Sequence, residues 1–224
     1  MRLAVLRQAG RVGISVALLA ATACSPASTE ARADPGPRLP TAHLSTPWLV
    51  TVYYTAVESF HDGDPVRVVG CPVLDCAHGA TPLGSYPADF VAAVRAEGTG
   101  RITTGQHRGR YLNWSHNVGY WLDDGPRDAA GNLLVPFVSP AADGVRPGSR
   151  VTLTDCGTLV NGDPVSHHLC RRLREGEWQI RDEFTPGYGG NQHIDLYVGE
   201  ENVPNFTRSE LYISLVDATL MLTD

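Results

Sequence analysis

Gln192-His193-Ile194-Asp195-Leu196-Tyr197-Val198-Gly199 alternates apolar and polar residues with a period of two, which reads as a β-strand. Ile194, Leu196 and Val198 take one face; Asp195 and Tyr197 take the other. Strand interiors disfavour aspartate, and its charge is costly to desolvate unless it is paired or protonated. A carboxyl held beside apolar neighbours has its pKa pushed up, as a general acid requires. An amphipathic strand with Asp195 turned to water shows the same pattern, so the octapeptide alone leaves both readings open.

The chain just upstream narrows the choice. Val135-Pro136-Phe137-Val138-Ser139-Pro140 is followed by Val145-Arg146-Pro147-Gly148-Ser149-Arg150-Val151-Thr152-Leu153, where Pro147-Gly148 is a turn that launches a strand. Ile180-Arg181-Asp182 then ends a strand, and the Gly-rich stretch to Gly189-Gly190 lets the backbone pass close to Asp195. Two carboxylates, Asp182 and Asp195, are therefore expected to face one groove. A turn-capping role for Asp182 fits equally well.

Further out, Leu49–Tyr54 is β-branched and aromatic and predicts a first strand, with order beginning near Trp48. Pro87–Glu97 predicts the one clear helix, with Ser85 as cap, Pro87 in its first turn and Gly98 ending it. Strand-like pieces follow at 101–104, 109–114, 118–122, 133–138, 150–154, 178–181 and 193–198. Residues 211–222 read as a strand with some helical character. Many short strands, Gly/Pro turns and one helix predict a mainly β fold, a small barrel, with a strand-rich segment inserted around 60–130.

At the N-terminus, Arg2, Arg7 and Arg11 precede the apolar run 12–23, which is too short to span a bilayer stably. Residues 1–23 read as a signal peptide, 24–46 as a flexible tether rich in Pro, Ala and Thr, and 47–224 as one domain. Ala21-Thr22-Ala23-Cys24 fits signal peptidase cleavage and also resembles a bacterial lipobox, in which Cys24 is lipidated. Removing 1–23 from the 224 residues leaves 201, enough for one sizeable core. All 18 basic residues are Arg, three of them in the leader; against 24 acidic residues the remainder carries a formal −9. That charge argues against a nucleic-acid partner, and the lack of Lys excludes lysine Schiff-base chemistry. Cys71, Cys76, Cys156 and Cys170 form an even set in an exported chain, which points to two disulfides. Cys71–Cys76 with Cys156–Cys170 is the simplest of three pairings; a zinc site using all four cysteines is the competing idea, at poor spacing. No cofactor or metal is expected, since neither a phosphate loop nor a dinucleotide fingerprint occurs.

Taken together, the Pro147-Gly148-Ser149 strand start, Asp182 with its Gly-rich loop, and Gln192-His193-Ile194-Asp195-Leu196-Tyr197 resemble the six-stranded double-psi β-barrel of the 3D-domain group. That group includes the membrane-bound lytic transglycosylase A family, to whose Gly-Tyr-Tyr-Thr strand Val52-Tyr53-Tyr54-Thr55 is also similar. The match covers about residues 135–199, with the looser echo at 50–58. The resemblance implies cleavage of the MurNAc–GlcNAc bond of peptidoglycan, with the family's final-strand Asp falling on Asp195 and its preceding Asp on Asp182. The third acidic position falls on Ser139, and the loop 183–190 departs from the family's usual run; both bear on activity more than on fold.

Other residues carry less. Tyr111, Trp114 and Trp121, with Tyr120, cluster in one segment, and Tyr188 sits in the Gly-rich loop; their rings could line glycan subsites or simply pack a core. His193 could tune Asp195, and His167-His168 reads as a solvated loop. Two rivals share the barrel: a non-catalytic, expansin-like glycan-binding module, and a secreted protease-inhibitor or interaction protein.

Overall fold

The structure is a computed structural model and describes residues 41–224. The leader 1–23, Cys24 and the tether up to residue 40 lie outside the described residues. In chain order the strands and helices are β1 (Ala42–Val57), β2 (Pro65–Gly70), β3 (Thr81–Pro87), α1 (Ala88–Glu97), β4 (Thr99–Arg101), β5 (Tyr111–Ser115) and β6 (Gly119–Asp123). There follow β7 (Pro140–Ala142), β8 (Arg150–Asp155), β9 (Thr158–Leu159), α2 (His167–Arg174), β10 (His193–Glu200) and β11 (Leu215–Thr223). The fold is mainly β, as the turn-rich sequence predicts.

β1 organises the sheet. Its alternation sends Trp48, Val50, Val52, Tyr54 and Ala56 into the main core, leaving Thr51, Tyr53 and Thr55 for the opposite face. Parallel β10 joins it from Leu49↔His193 to Tyr53↔Tyr197, and parallel β4 joins at Ala56↔Gly100. Antiparallel β11 runs along it from Ala42↔Thr223 to Val50↔Leu215. β7 pairs with the other edge of β10, β8 and β9 pair with β11, and β4, β5 and β6 form a meander. Among the described residues the strand ladders form an open path, β6-β5-β4-β1-β10-β7, with β11 branching from β1, and the ladders by themselves do not close. The extended segment 178–182 lies between β7 and β8. Gln179 N donates to Val138 O (2.9 Å), Asp182 N to Pro140 O (3.3 Å), Ile180 N to Ser149 O (2.9 Å), and Val151 N to Trp178 O (2.9 Å).

The core runs continuously from Phe90 and Val94 of α1, through β1 and β10, to Leu215, Leu220 and Leu222 of β11. Each such side chain, fully buried, is worth roughly 1.5–3 kcal/mol. α1 packs so closely on β4 that a Cβ at Gly100 would meet Phe90 Cζ at 2.7 Å.

Several expectations are corrected. The first strand already begins at Ala42, upstream of the expected Leu49, because residues 42–45 are drawn into the ladder with β11. Pro87, not Ser85, occupies the cap position of α1; Ser85 is held in the β2–β3 hairpin. Gly98 does end the helix, in the left-handed conformation at φ 86°. His167-His168 opens a second helix rather than a loop: Ser166 Oγ accepts from Leu169 N (3.3 Å) and Leu169 and Leu173 are buried. Residues 133–138 turn instead of extending, with Phe137 at φ 59°. Residues 215–223 are strand without helix. The cysteines pair as Cys71–Cys76 and Cys156–Cys170, which consumes the thiols a zinc site would need. The first bond closes the β2–β3 loop and the second ties α2 to the end of β8.

Candidate active site

Asp195 sits in the middle of a row that crosses four chain segments. It faces Thr51 of β1 on one side and Ala141 of β7 on the other, and Ala141 in turn bridges to Asp182. Residues opposite one another on neighbouring strands share a face, so both carboxylates rise from the same side of the sheet. Their backbones are two strand spacings apart, about 9–10 Å, and only the Ala141 methyl stands between them. This is the face opposite the main core. Its floor is Tyr53 and Tyr197, buried with ring centroids 5.2 Å apart and covered by Leu134.

Both aspartates are half-buried and short of donors. Asp195 Oδ1 accepts one hydrogen bond from a side chain, Thr51 Oγ1 at 2.8 Å. Burial raises its pKa to about 7; the Thr51 bond opposes the shift and the charge of Asp182 adds to it. Asp182 accepts from Glu183 N (2.9 Å) and from the Tyr53 hydroxyl (3.2 Å). Burial raises it to about 7 as well, against the Glu183 bond and with the charge of buried Asp128 behind it.

Three residues not singled out from sequence shape the site. Thr51 contacts Asp195 and lies 3.0 Å from His193 Nε2. Tyr53 Oη lies 3.2 Å from both Asp182 Oδ2 and Ser139 O, and its one hydrogen serves one of them at a time. Asp143 holds the Gly-rich loop at both ends, accepting from Phe184 N (3.3 Å) and Gly190 N (3.1 Å). A Cβ at Gly189 would collide with Asp143 and come within 2.6 Å of Phe184 Cδ2, so the clasp needs glycine there. Phe184 in turn lies on the His193 ring, centroids 4.4 Å apart. The alternation Thr51, Tyr53, Thr55 along β1 was the available signal for the first two, since it mirrors Asp195 and Tyr197 on β10.

The proposed sugar-stacking residues do not converge. Trp121 is fully buried and offers no ring face to a ligand, which corrects its assignment as a subsite residue. Trp114 is packed against the main core with the Arg95 guanidinium 5.5 Å from its ring. Tyr111 donates to Glu200 Oε1 (2.6 Å) and stands in the Val57–Arg101 row. That row is about 20 Å along β1 from the Asp195 row, at roughly 3.3 Å per residue. Tyr188, 76% exposed, lies in the clasped loop. Ser139, where the family pattern has a third acid, is fully buried, and its Oγ accepts from Val135 N (2.9 Å). It closes a turn and faces no cleft.

A second polar cluster lies beyond the far end of β1. Buried Glu58 accepts from the Thr103 and Thr104 amides (2.7 and 2.9 Å) and from both hydroxyls. Buried Glu201 accepts from Val57 N and from His61 Nε2 (2.7 Å), and His61 Nδ1 faces Asp89 (3.5 Å). Burial alone would lower the His61 pKa, but the bond and charge of Glu201, with Asp89, outweigh it and raise it. A concavity of about 370 Å³ opens there, lined by Glu58, His61, Tyr86, Thr103 and Thr104; neither Asp182 nor Asp195 lines it.

No family model matches the chain, and no curated protein matches it in sequence. Among solved structures it is similar to Escherichia coli MltA with bound chitohexaose, at 12% identity over 79% of this chain and 71% of that one, TM-score 0.49. It is also similar to MltA from Neisseria gonorrhoeae, at 11% identity over 80% and 73%, TM-score 0.47. A membrane-bound lytic murein transglycosylase from Agrobacterium tumefaciens aligns at 10% identity over 82% and 76%, TM-score 0.47.

Proposed function

We propose that this chain is an exported cell-wall enzyme that cleaves the MurNAc–GlcNAc bond of peptidoglycan, with Asp195 as the single general acid and base. The observation that carries the reading is the Thr51–Asp195–Ala141–Asp182 row, which sets two donor-poor carboxyls on one face. A pKa of about 7 suits a group that must first give a proton and then take one back. Protonated Asp195 donates to the glycosidic oxygen as positive charge develops at the anomeric carbon. The resulting carboxylate removes the proton from the muramoyl 6-hydroxyl, whose oxygen closes on that carbon. The products are a 1,6-anhydro sugar and a released chain end; the proton returns to Asp195 and no water or cofactor is consumed. Asp182 positions the acid and keeps it loaded through its charge. Tyr188 is the sugar contact in this reading, Tyr111 lying too far along β1 to meet the same sugar, and a glycan is the partner.

The fold in this reading is the six-stranded double-psi β-barrel. The bonds from 178–182 to β7 and β8 support it, since β1, β10, β7, 178–182, β8 and β11 then follow one another around a closed circuit. The two disulfides suit an oxidising compartment outside the cytoplasm, and lipidation at Cys24 would tether the domain to the membrane.

The test is digestion of purified sacculi by the mature chain, with products identified by mass spectrometry. Anhydro-muropeptides are expected, and Asp195→Asn slows their release about 10²–10⁴-fold. Products with reducing ends, or undiminished release by Asp195→Asn, defeat the mechanism. Binding to sacculi without any product leaves the glycan-binding module in its place.

A further inference from the structure

The acid shares a hydroxyl with a histidine. Thr51 Oγ1 stands 2.8 Å from Asp195 Oδ1 and 3.0 Å from His193 Nε2. A hydroxyl has one hydrogen, so it can donate to only one of these neighbours at a time. The His193 ring is half-buried and fixed on Phe184. The Tyr188 backbone bears on the ring as well, and the neutral tautomer with its hydrogen on Nδ1 is the one that leaves Nε2 bare.

We propose that His193 is a positioning residue that competes with Asp195 for the Thr51 hydrogen and thereby keeps the acid loaded. The inference rests on the reading of Asp195 as the acid. When Thr51 donates to the bare Nε2, its oxygen is free to accept from a protonated Asp195. When Asp195 ionises, the hydroxyl turns to the carboxylate and Nε2 loses its donor. A hydrogen bond withheld from the carboxylate disfavours the charged form, so the histidine raises the pH at which the acid empties.

Burial lowers the His193 pKa, against the Tyr188 bond and the charge of Asp143, so near neutrality the ring is neutral and able to accept. The other groups bearing on Asp195 are Asp182, Tyr53, Glu97 and Tyr212, the last three through mutual charge. None of them contacts Thr51 Oγ1, so the switch is specific to His193.

The experiment follows the ring ¹⁵N resonances of His193 in the mature chain, without substrate, as pH is raised. A hydrogen-free Nε2 signal should step near pH 7, and the step should be absent in Asp195→Asn and in Thr51→Val. An N–H type Nε2 throughout, a flat signal, or a step that survives Asp195→Asn overturns the proposal. The kinetic arm uses sacculi digestion. His193→Phe keeps a ring on Phe184 but offers no acceptor, and should move the alkaline limb about one pH unit toward acid. His193→Gln retains an acceptor oxygen and should hold the limb in place; an unmoved limb in the Phe variant also overturns the idea. If wild-type protein digests nothing, the functional reading fails, and the NMR arm still decides the switch.

Discussion

Two groups of buried acids sit at opposite ends of β1's partnership with its neighbours, and they are provisioned in opposite ways. Glu58 receives four donors from Thr103 and Thr104, and Glu201 receives an amide and a histidine. Asp195 receives a single side-chain hydroxyl, with the Leu196 backbone beside it, and Asp182 receives the Glu183 amide and a tyrosine hydroxyl that it shares with a carbonyl. A carboxylate saturated with donors is a structural part, whose removal would leave those donors unpaired. One that is starved of donors in a half-buried place holds its proton near neutrality, and that is costly to the fold but useful to chemistry. Burial alone therefore does not mark a candidate site: Glu58, with four donors, and Asp195, with a single side-chain donor, are the two extremes.

The contrast breaks if the two classes respond alike to neutralisation. Asp195→Asn should remove nearly all sacculus digestion while leaving the folded chain intact by circular dichroism. Glu58→Ala should do the reverse, orphaning two amides and two hydroxyls and lowering unfolding free energy by about 2–4 kcal/mol in urea titration. Digestion per folded molecule should persist in the Glu58 variant.

A pH series sharpens the same difference. Asp182, Asp195 and Glu97 are raised to about 7, 7 and 8, Glu97 by burial first and then by the charge of Asp195. An acid whose folded pKa lies above its unfolded value binds more protons in the native state. Stability is then lost as pH rises from the unfolded carboxylate range, near 4, through the folded values. Thermal midpoints should fall from pH 5 to pH 9, and Asp195→Asn should gain most over wild type at the alkaline end. Equal gains at both ends would place the unfavourable charge elsewhere.

The smallest effect belongs to His61. Its raised pKa makes a contribution that is complete below the unfolded histidine value, near 6.5, and fades as pH climbs through the folded one. His61→Gln should therefore narrow the stability gap between pH 6 and pH 9, read by the same melts.

How much of this was legible in the sequence depends on how many faces a segment shows to solvent. The β10 octapeptide could be read because one of its faces lies in the main core and the other carries half-buried Asp195 and the separate Tyr197 cluster, so its period of two survives. The aromatic run 111–121 could not, because β5 and β6 are covered on both faces in part. Trp114 and Trp121 turn to different sides, and neither residue type nor spacing says which is buried. α2 was hidden by its polar surface, though Ser166 followed by Leu169 and Leu173 was its signal. Residues 133–138 read as strand from Leu, Val and Phe, but Pro136 and the left-handed Phe137 turn the chain there. Asp143 carries no local pattern at all, since its partners are about 40 residues away in sequence.

That one carboxylate gathers residues 184 and 190 into a closed purse, and the exposed Tyr188 side chain stands at the tip between them. In the proposed function, substrate preference could thus drift by exchange of the side chains at 185–188, with Gly189 kept by the clasp, without disturbing the proton chemistry below. The drawstring, on that proposal, separates what the chain would read from what it would do.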